Sequence, residues 1–195
     1  MRSRNRNEFE AHGDVYFITS TVVGFINVFN HTPASDIFVE CLRFYQRRGD
    51  FTLLAWVLMP NHFHLVTKRA ENKSISEIIG NLKRYTAKQI GQLREDREMR
   101  QILDRLRHAA SRESGKWSAI WKPRFDSLVI TSENTLRQKI EYTHTNPVCK
   151  HLVRETWQWH YSSASAYAGV NGIDVPVDTD WRCLGYGRMP SGKDS

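Results

Sequence analysis

Met59-Pro60-Asn61-His62-Phe63-His64-Leu65-Val66 sets two imidazoles two residues apart in an apolar run. On a strand, alternate residues share a face, so both rings project one way while Phe63 and Leu65 project the other. Two nitrogen donors on a stiff strand can form half of a metal site. Spacing alone also fits two half-exposed histidines flanking a core phenylalanine. That is the commoner case, because ligation needs a further ligand and supporting partners.

A second cluster follows in Lys139-Ile140-Glu141-Tyr142-Thr143-His144-Thr145-Asn146-Pro147-Val148. Tyr142 and Asn146 are four apart and share one face of a helix, with Leu136, Ile140 and Thr143 facing the core. A tyrosine hydroxyl at the rim of a buried stripe is either an ordinary boundary residue or a nucleophile, and taken by itself it reads as the former. Pro147 disfavours helical geometry at Asn146, so the helix is expected to end there.

The elements that carry these groups follow from periodicity. Val15 to Val23 is β-branched and aromatic and predicts a strand. Ile37, Phe38, Cys41, Leu42 and Tyr45 predict a helix that starts near Pro33 and Asp36 and stops at Arg47-Arg48-Gly49. Phe51 to Met59 predicts a buried strand, Pro60-Asn61 a turn, and His62 to Lys68 the returning strand. Ser74-Ile75-Ser76-Glu77 has the form of a capping box. The helix after it carries Ile75, Ile78, Ile79, Leu82 and Tyr85 on one face.

Met99, Ile102, Leu103 and Leu106 give the charged stretch 94–112 a helical stripe, and 111–118 reads as a loop. Arg124 to Thr131 predicts a last strand before the tyrosine helix. Residues 157–168 add a short helix. The order is that of an α+β fold: a ferredoxin-like βαββαβ antiparallel sheet with helices on one face, plus a helical insertion and a C-terminal extension. The expected organisation is a basic N-terminal arm over 1–13, one catalytic domain over 14–168, and an irregular tail over 169–195.

Composition narrows the function classes. The 195 residues carry 28 basic and 21 acidic side chains, a net charge of +7 that suits an anionic partner, nucleic acid ahead of a membrane surface. Cys41, Cys149 and Cys183 are widely spaced and odd in number, which indicates free thiols rather than a disulfide framework or zinc ribbon. The polar N-terminus and the lack of an 18-residue apolar run exclude a spanning helix and point to the cytoplasm. His108, His144, His151 and His160 have no spacing partner for a second metal site, and His144 is expected to face solvent. Trp56 reads as core, and Trp157 to Tyr161 as packing for the C-terminal segment.

Taken in order, Met-Pro-Asn-His-Phe-His, Trp121-Lys122-Pro123-Arg124-Phe125, Tyr142-x-x-x-Asn146-Pro147-Val148 and Tyr161-Ser162-Ser163 are a more specific set than any one of them. Across residues 14–168 the chain resembles the single-tyrosine HUH transposases of the insertion-sequence family, in particular the REP-associated tyrosine transposases. The resemblance implies that His62 and His64 bind a divalent metal, Mg²⁺ or Mn²⁺. It further implies that Tyr142 is the nucleophile, and that Asn146, where many relatives carry Gln, completes the site. The implied activity is cleavage and rejoining of single-stranded, hairpin-bearing (REP-like) DNA through a 5′-phosphotyrosine. The alternative is a non-catalytic DNA- or RNA-binding module on the same scaffold.

This chemistry explains the need for both clusters. A tyrosine of ordinary pKa about 10 costs roughly 4 kcal/mol to ionise at neutral pH. Lewis-acid assistance of several kcal/mol offsets most of that. A covalent phosphotyrosine then conserves the bond energy for rejoining, which a water-activating nuclease loses. Single strands need cations for phosphates and flat partners for bases, and the candidates are Lys68, Lys83, Arg84, Lys122, Arg124 and Arg137. Arg2, Arg4 and Arg6 are candidates for gripping a hairpin stem. Monomer and homodimer are both open, as is whether Tyr142 serves its own chain's histidines or a partner's.

Overall fold

The computed structural model describes residues 15–114, 120–170, 172 and 175–181. The N-terminal arm with Arg2, Arg4 and Arg6, and also Cys183, lie outside them. Four antiparallel strands, β1 (Val15–Thr21), β2 (Phe51–Met59), β3 (His62–Arg69) and β4 (Asp126–Val129), form one sheet in the order β2-β3-β1-β4. This is the ferredoxin-like order expected from the sequence, with the histidine strand β3 and its neighbour β1 in the centre.

Each element has a local cause. Gly49, at φ +75, ends helix α1 (Thr32–Arg47) and frees the chain to enter β2. Pro60-Asn61 closes the β2–β3 hairpin, leaving Met59 opposite His62. A bulge at Leu53/Ala55 shifts the β2 alternation by one residue. Leu54 and Ala55 therefore both reach one core, while Trp56 and Leu58 face the other. Ser74 caps helix α2 (Ile75–Ile90) by accepting the Glu77 N–H at 3.1 Å, as its capping sequence predicts.

The helix face differs from expectation at Tyr85, which is exposed. Thr86 takes the inward position, donating to Leu82 O and accepting the Trp121 indole N–H at 2.9 Å. A buried hydroxyl is tolerated there because it is hydrogen-bonded.

Two cores flank the sheet. The larger one joins Tyr16, Ile18, Phe63 and Leu65 to α1, α2 and helix α3 (Arg97–Ser114). The crossover helices α1 and α2 thus share one face, as expected. On the opposite face, Val15, Leu54, Ala55 and Val66 pack against Leu136 and Ile140 of α4 (Glu133–Cys149). That is the face toward which His62 and His64 point, so the tyrosine helix covers the histidine side of the sheet.

α4 does not stop before Pro147 as its sequence suggests; it runs through to Cys149. Pro147 removes one helical N–H, a cost of about 3 kcal/mol in a helix interior. Burial of Thr143, Asn146 and Pro147 together holds the last turn in place. α3 extends to Ser114, into the stretch 111–118 expected as a loop, and residues 115–118 lie outside those described.

The outer edge of β2 is sealed by later chain. Leu58 N–H donates to Tyr161 O, Ser163 N–H to Trp56 O, and Asp178 N–H to Leu53 O, all within 3.0 Å. Such cover blunts an edge that would otherwise template pairing with another chain. The segment 156–168 supplies a single 3-10 turn (Thr156–Gln158) and the one-turn helix α5 (Ala164–Tyr167). Residues 175–181 form no further strand, with Val175 and Trp181 buried. Among the described residues no helix is long and apolar enough to cross a membrane.

Candidate functional site

β3 and α4 bring the two sequence clusters together. His62 and His64 have ring centroids 4.9 Å apart, and the Tyr142 ring lies 5.2 Å from that of His64. Asn146, one turn beyond Tyr142, donates from Nδ2 to His64 Nε2 at 3.2 Å. Its amide is also close enough to His62 to favour that ring's protonated form. Thr19, Thr21, Phe25, Lys150 and Leu152 complete an open cleft of about 560 Å³ around these four residues.

Neighbours orient both rings. Asn61 Nδ2 donates to Phe25 O at 3.0 Å and to Asn27 Oδ1 at 3.1 Å. This fixes Oδ1 as the atom 2.8 Å from His62 Nδ1, so Nδ1 must carry the proton. The lone pair of His62 is then on Nε2. His64 Nδ1 meets Thr19 Oγ1 at 2.8 Å, which fits the same tautomer, and Phe17 stacks on the ring at 5.3 Å with a 19° tilt.

Burial keeps both imidazoles neutral. It pushes His62 down to about 4, helped by the charge of Lys150. It pushes His64 down to about 3, helped by the charges of His62 and Lys139.

The donor set fits a divalent cation. Two neutral imidazoles with their lone pairs on Nε2, that of His64 now accepting from Asn146 Nδ2, converge with an amide whose Oδ1 is buried and has no hydrogen-bond partner among the described residues. A buried acceptor left unpaired costs about 1–3 kcal/mol, so an orphan at this position points to a missing partner. Among the described residues there is no cluster of three His, Cys, Asp or Glu side chains. The Asn146 amide is the third protein donor beside the two imidazoles. Nothing in this set distinguishes Mg²⁺ from Mn²⁺.

The predicted basic residues divide into two groups. Trp121 is anchored in the large core, and Lys122 N–H donates to Thr21 O at 2.8 Å, which leaves Lys122 and Arg124 beside Thr19 and Thr21. These two adjoin the cleft. Lys83 does not offer its charge to a ligand: its ammonium donates to Lys122 O at 2.7 Å, Pro123 O at 3.3 Å and Arg124 O at 3.4 Å. The remaining three lie elsewhere. Lys68 is four residues past His64, at the far end of β3 opposite Val15. Arg84 bonds Asn81 and acts on Tyr45, on the other side of the sheet. Arg137 pairs with Glu133 in the first turns of α4.

Sequence reasoning missed Lys139, whose ammonium stands 4.8 Å from the Phe17 ring centroid and 5.6 Å from that of Tyr142. Its i−3 spacing from Tyr142 was the available signal. It also missed Asn61 and Thr19, whose roles depend on pairings between distant segments. His144 is buried rather than solvent-facing, with Nε2 2.8 Å from Ser163 Oγ.

Comparison with known proteins gives the family. Residues 26–146 match the model of the IS200-like transposase family. The chain belongs to that family. A Haemophilus influenzae protein named as a REP-associated tyrosine transposase is 29% identical over 114 residues, 58% of this chain. The chain spans about 58% of the length of that curated relative. The solved structure of a REP-associated tyrosine transposase bound to a REP hairpin superposes with a TM-score of 0.60 at 20% identity, covering 86% of this chain and 87% of the other. That likeness shows a shared fold.

Proposed function

We propose that this IS200-like transposase cleaves and rejoins single-stranded, hairpin-bearing DNA through a covalent 5′-phosphotyrosine at Tyr142. The observation that carries the reading is the convergence of Tyr142, His62, His64 and Asn146 in one open cleft. The hairpin bound by the structurally similar transposase supports hairpin DNA as the substrate class.

Tyr142 is 48% exposed, so its hydroxyl can meet a phosphate from solvent while its ring stays against His64 and Phe17. The hydroxyl oxygen forms the new bond to phosphorus as the bond to the 3′ oxygen breaks. The tyrosine proton is lost to solvent, and the 3′ oxygen takes up a proton to leave as a hydroxyl. In rejoining, an incoming 3′ hydroxyl attacks the phosphotyrosine and returns the tyrosine oxygen.

His62 and His64 with Asn146 Oδ1 would hold Mg²⁺ or Mn²⁺, which when bound supplies Lewis-acid polarisation of the phosphate. Asn61 and Thr19 hold the two rings in the ligating tautomer. Lys139 places positive charge beside the tyrosine ring, where the attacked phosphate must sit. The Tyr142 ring stands 5.2 Å from that of His64 in the same chain, a spacing compatible with assembly in cis.

The test is a labelled hairpin DNA with single-stranded flanks, incubated with Mg²⁺ or Mn²⁺ and run on a denaturing gel. A protein–DNA adduct is expected, absent in Tyr142→Phe and in His64→Ala. Cleavage that survives Tyr142→Phe would overturn the nucleophile assignment. Tight binding with neither cleavage nor adduct would identify a binding module instead.

A further inference from the structure

The turn after β1 is unusual. Ile26 N–H donates to Val23 O at 3.4 Å, and the two residues between them, Gly24 and Phe25, have φ of +61 and +52. Successive left-handed residues form the type I′ pattern, in which Gly and Asn are ordinary and a bulky aromatic is strained. Gly24 is required for space as well, because a Cβ there would stand 2.8 Å from Ala109 Cβ of α3. Phe25 gains no burial in return; it is 62% exposed. A strained, exposed aromatic marks a place where the surroundings enforce a geometry for use.

The surroundings identify that use. Phe25 lines the same cleft as His62, His64 and Tyr142. Its carbonyl accepts from Asn61, the residue that orients His62, so the backbone that carries the ring is tied to the histidine pair. Lys122 Nζ stands 3.9 Å from the ring centroid and covers part of one face. A cation and an exposed flat ring side by side are the two elements that bind unpaired nucleotides, one for the phosphate and one for the base.

We infer that Phe25 is a stacking platform for one unpaired base flanking the scissile phosphate, with Lys122 held beside it for the adjoining phosphate. This rests on the single-stranded DNA reading of the cleft. It gives the helix α3 a role in turn: α3 packs on the Val23–Phe25 turn and braces the platform. Because every base has a π-face, the contact fixes the position of the strand with little regard to sequence.

The experiment uses the full chain with Mg²⁺ and a hairpin DNA carrying 2-aminopurine at each unpaired flanking position in turn. Wild type is expected to quench one position on binding, and Phe25→Trp to keep that quenching. Phe25→Gly and Phe25→Asn both tolerate the positive φ, so they remove the ring and keep the turn. Both are expected to lose the quenching and to weaken affinity about tenfold. The affinity penalty should vanish on DNA with an abasic site at the quenched position.

Unchanged affinity and quenching in both variants would overturn the inference. So would a penalty that persists equally on abasic DNA, since the turn would then act through the fold and not through a base. Failure of wild type to bind any of these DNAs would overturn the single-strand reading itself, and it would be seen before any variant is compared.

Discussion

Asn146 Nδ2 donates to the very lone pair of His64, Nε2, that a metal would use, and leaves its own Oδ1 buried and without a hydrogen-bond partner among the described residues. Turning the amide over without a cation would set two acceptors against each other; with a cation between them the same rotation satisfies both.

Removal of that amide should weaken metal binding more than it weakens the fold. Asn146→Ala is expected to raise the Mn²⁺ dissociation constant about 10- to 100-fold. Asn146→Gln, one methylene longer, is expected to retain measurable affinity because it keeps an amide oxygen as donor. Calorimetric titration of Mn²⁺ into each variant checks this, and an unchanged constant in Asn146→Ala would remove the amide from the ligand set.

The metal-free protein should lose stability in mild acid. His62 and His144 titrate near 4 and His64 near 3 in the fold, all lowered chiefly by burial, against about 6.5 unfolded. Below pH 6.5 the unfolded chain takes up protons that the folded chain does not. The stability contributed by these neutral rings is thus complete above about pH 6.5 and declines as pH falls toward 4 and then 3. Urea unfolding of metal-free protein at pH 7.5 and pH 5 should show a lower midpoint at pH 5. Equal midpoints would mean that the rings are solvated.

Lys83 should behave as a structural residue. Its ammonium holds the Lys122–Arg124 carbonyls, one half-buried and two exposed, so Lys83→Met loses these hydrogen bonds and should cost about 1 kcal/mol. The salt dependence of DNA binding should stay as in wild type, since no phosphate contact is lost. A flatter salt dependence in this variant would return Lys83 to the DNA contacts.

Lys139 should behave in the opposite way. Lys139→Gln should leave the unfolding midpoint nearly unchanged and flatten log K against log salt for single-stranded DNA by roughly 0.7, the value for one lost phosphate contact. Binding isotherms at four or five salt concentrations measure that slope, and an unchanged slope would leave Lys139 as packing for Phe17.

How much was legible in the chain depended on the range of the interaction. β2 was read at its true bounds because Gly49-Asp50 and Pro60-Asn61 punctuate a continuous apolar run. Both histidines were correctly given one face because strand alternation is local. Pro147 misled, since a local rule predicted a stop that burial of Asn146 and Pro147 overrides. His144 was misjudged because its partner, Ser163, is 19 residues away. Lys83 looked like a free cation because three carbonyls some 40 residues downstream leave no trace in the helix that carries it.

The histidines sit on β3, which is paired along both edges by β1 and β2. The tyrosine reaches them on α4, tethered through the four-residue edge strand β4 and a much smaller apolar cluster. Local opening is cheapest where burial is least. The two halves therefore differ in burial: the His62–His64 side is an anvil that yields only with the whole sheet, whereas amide exchange is expected to be faster along β4 and α4 than along β3.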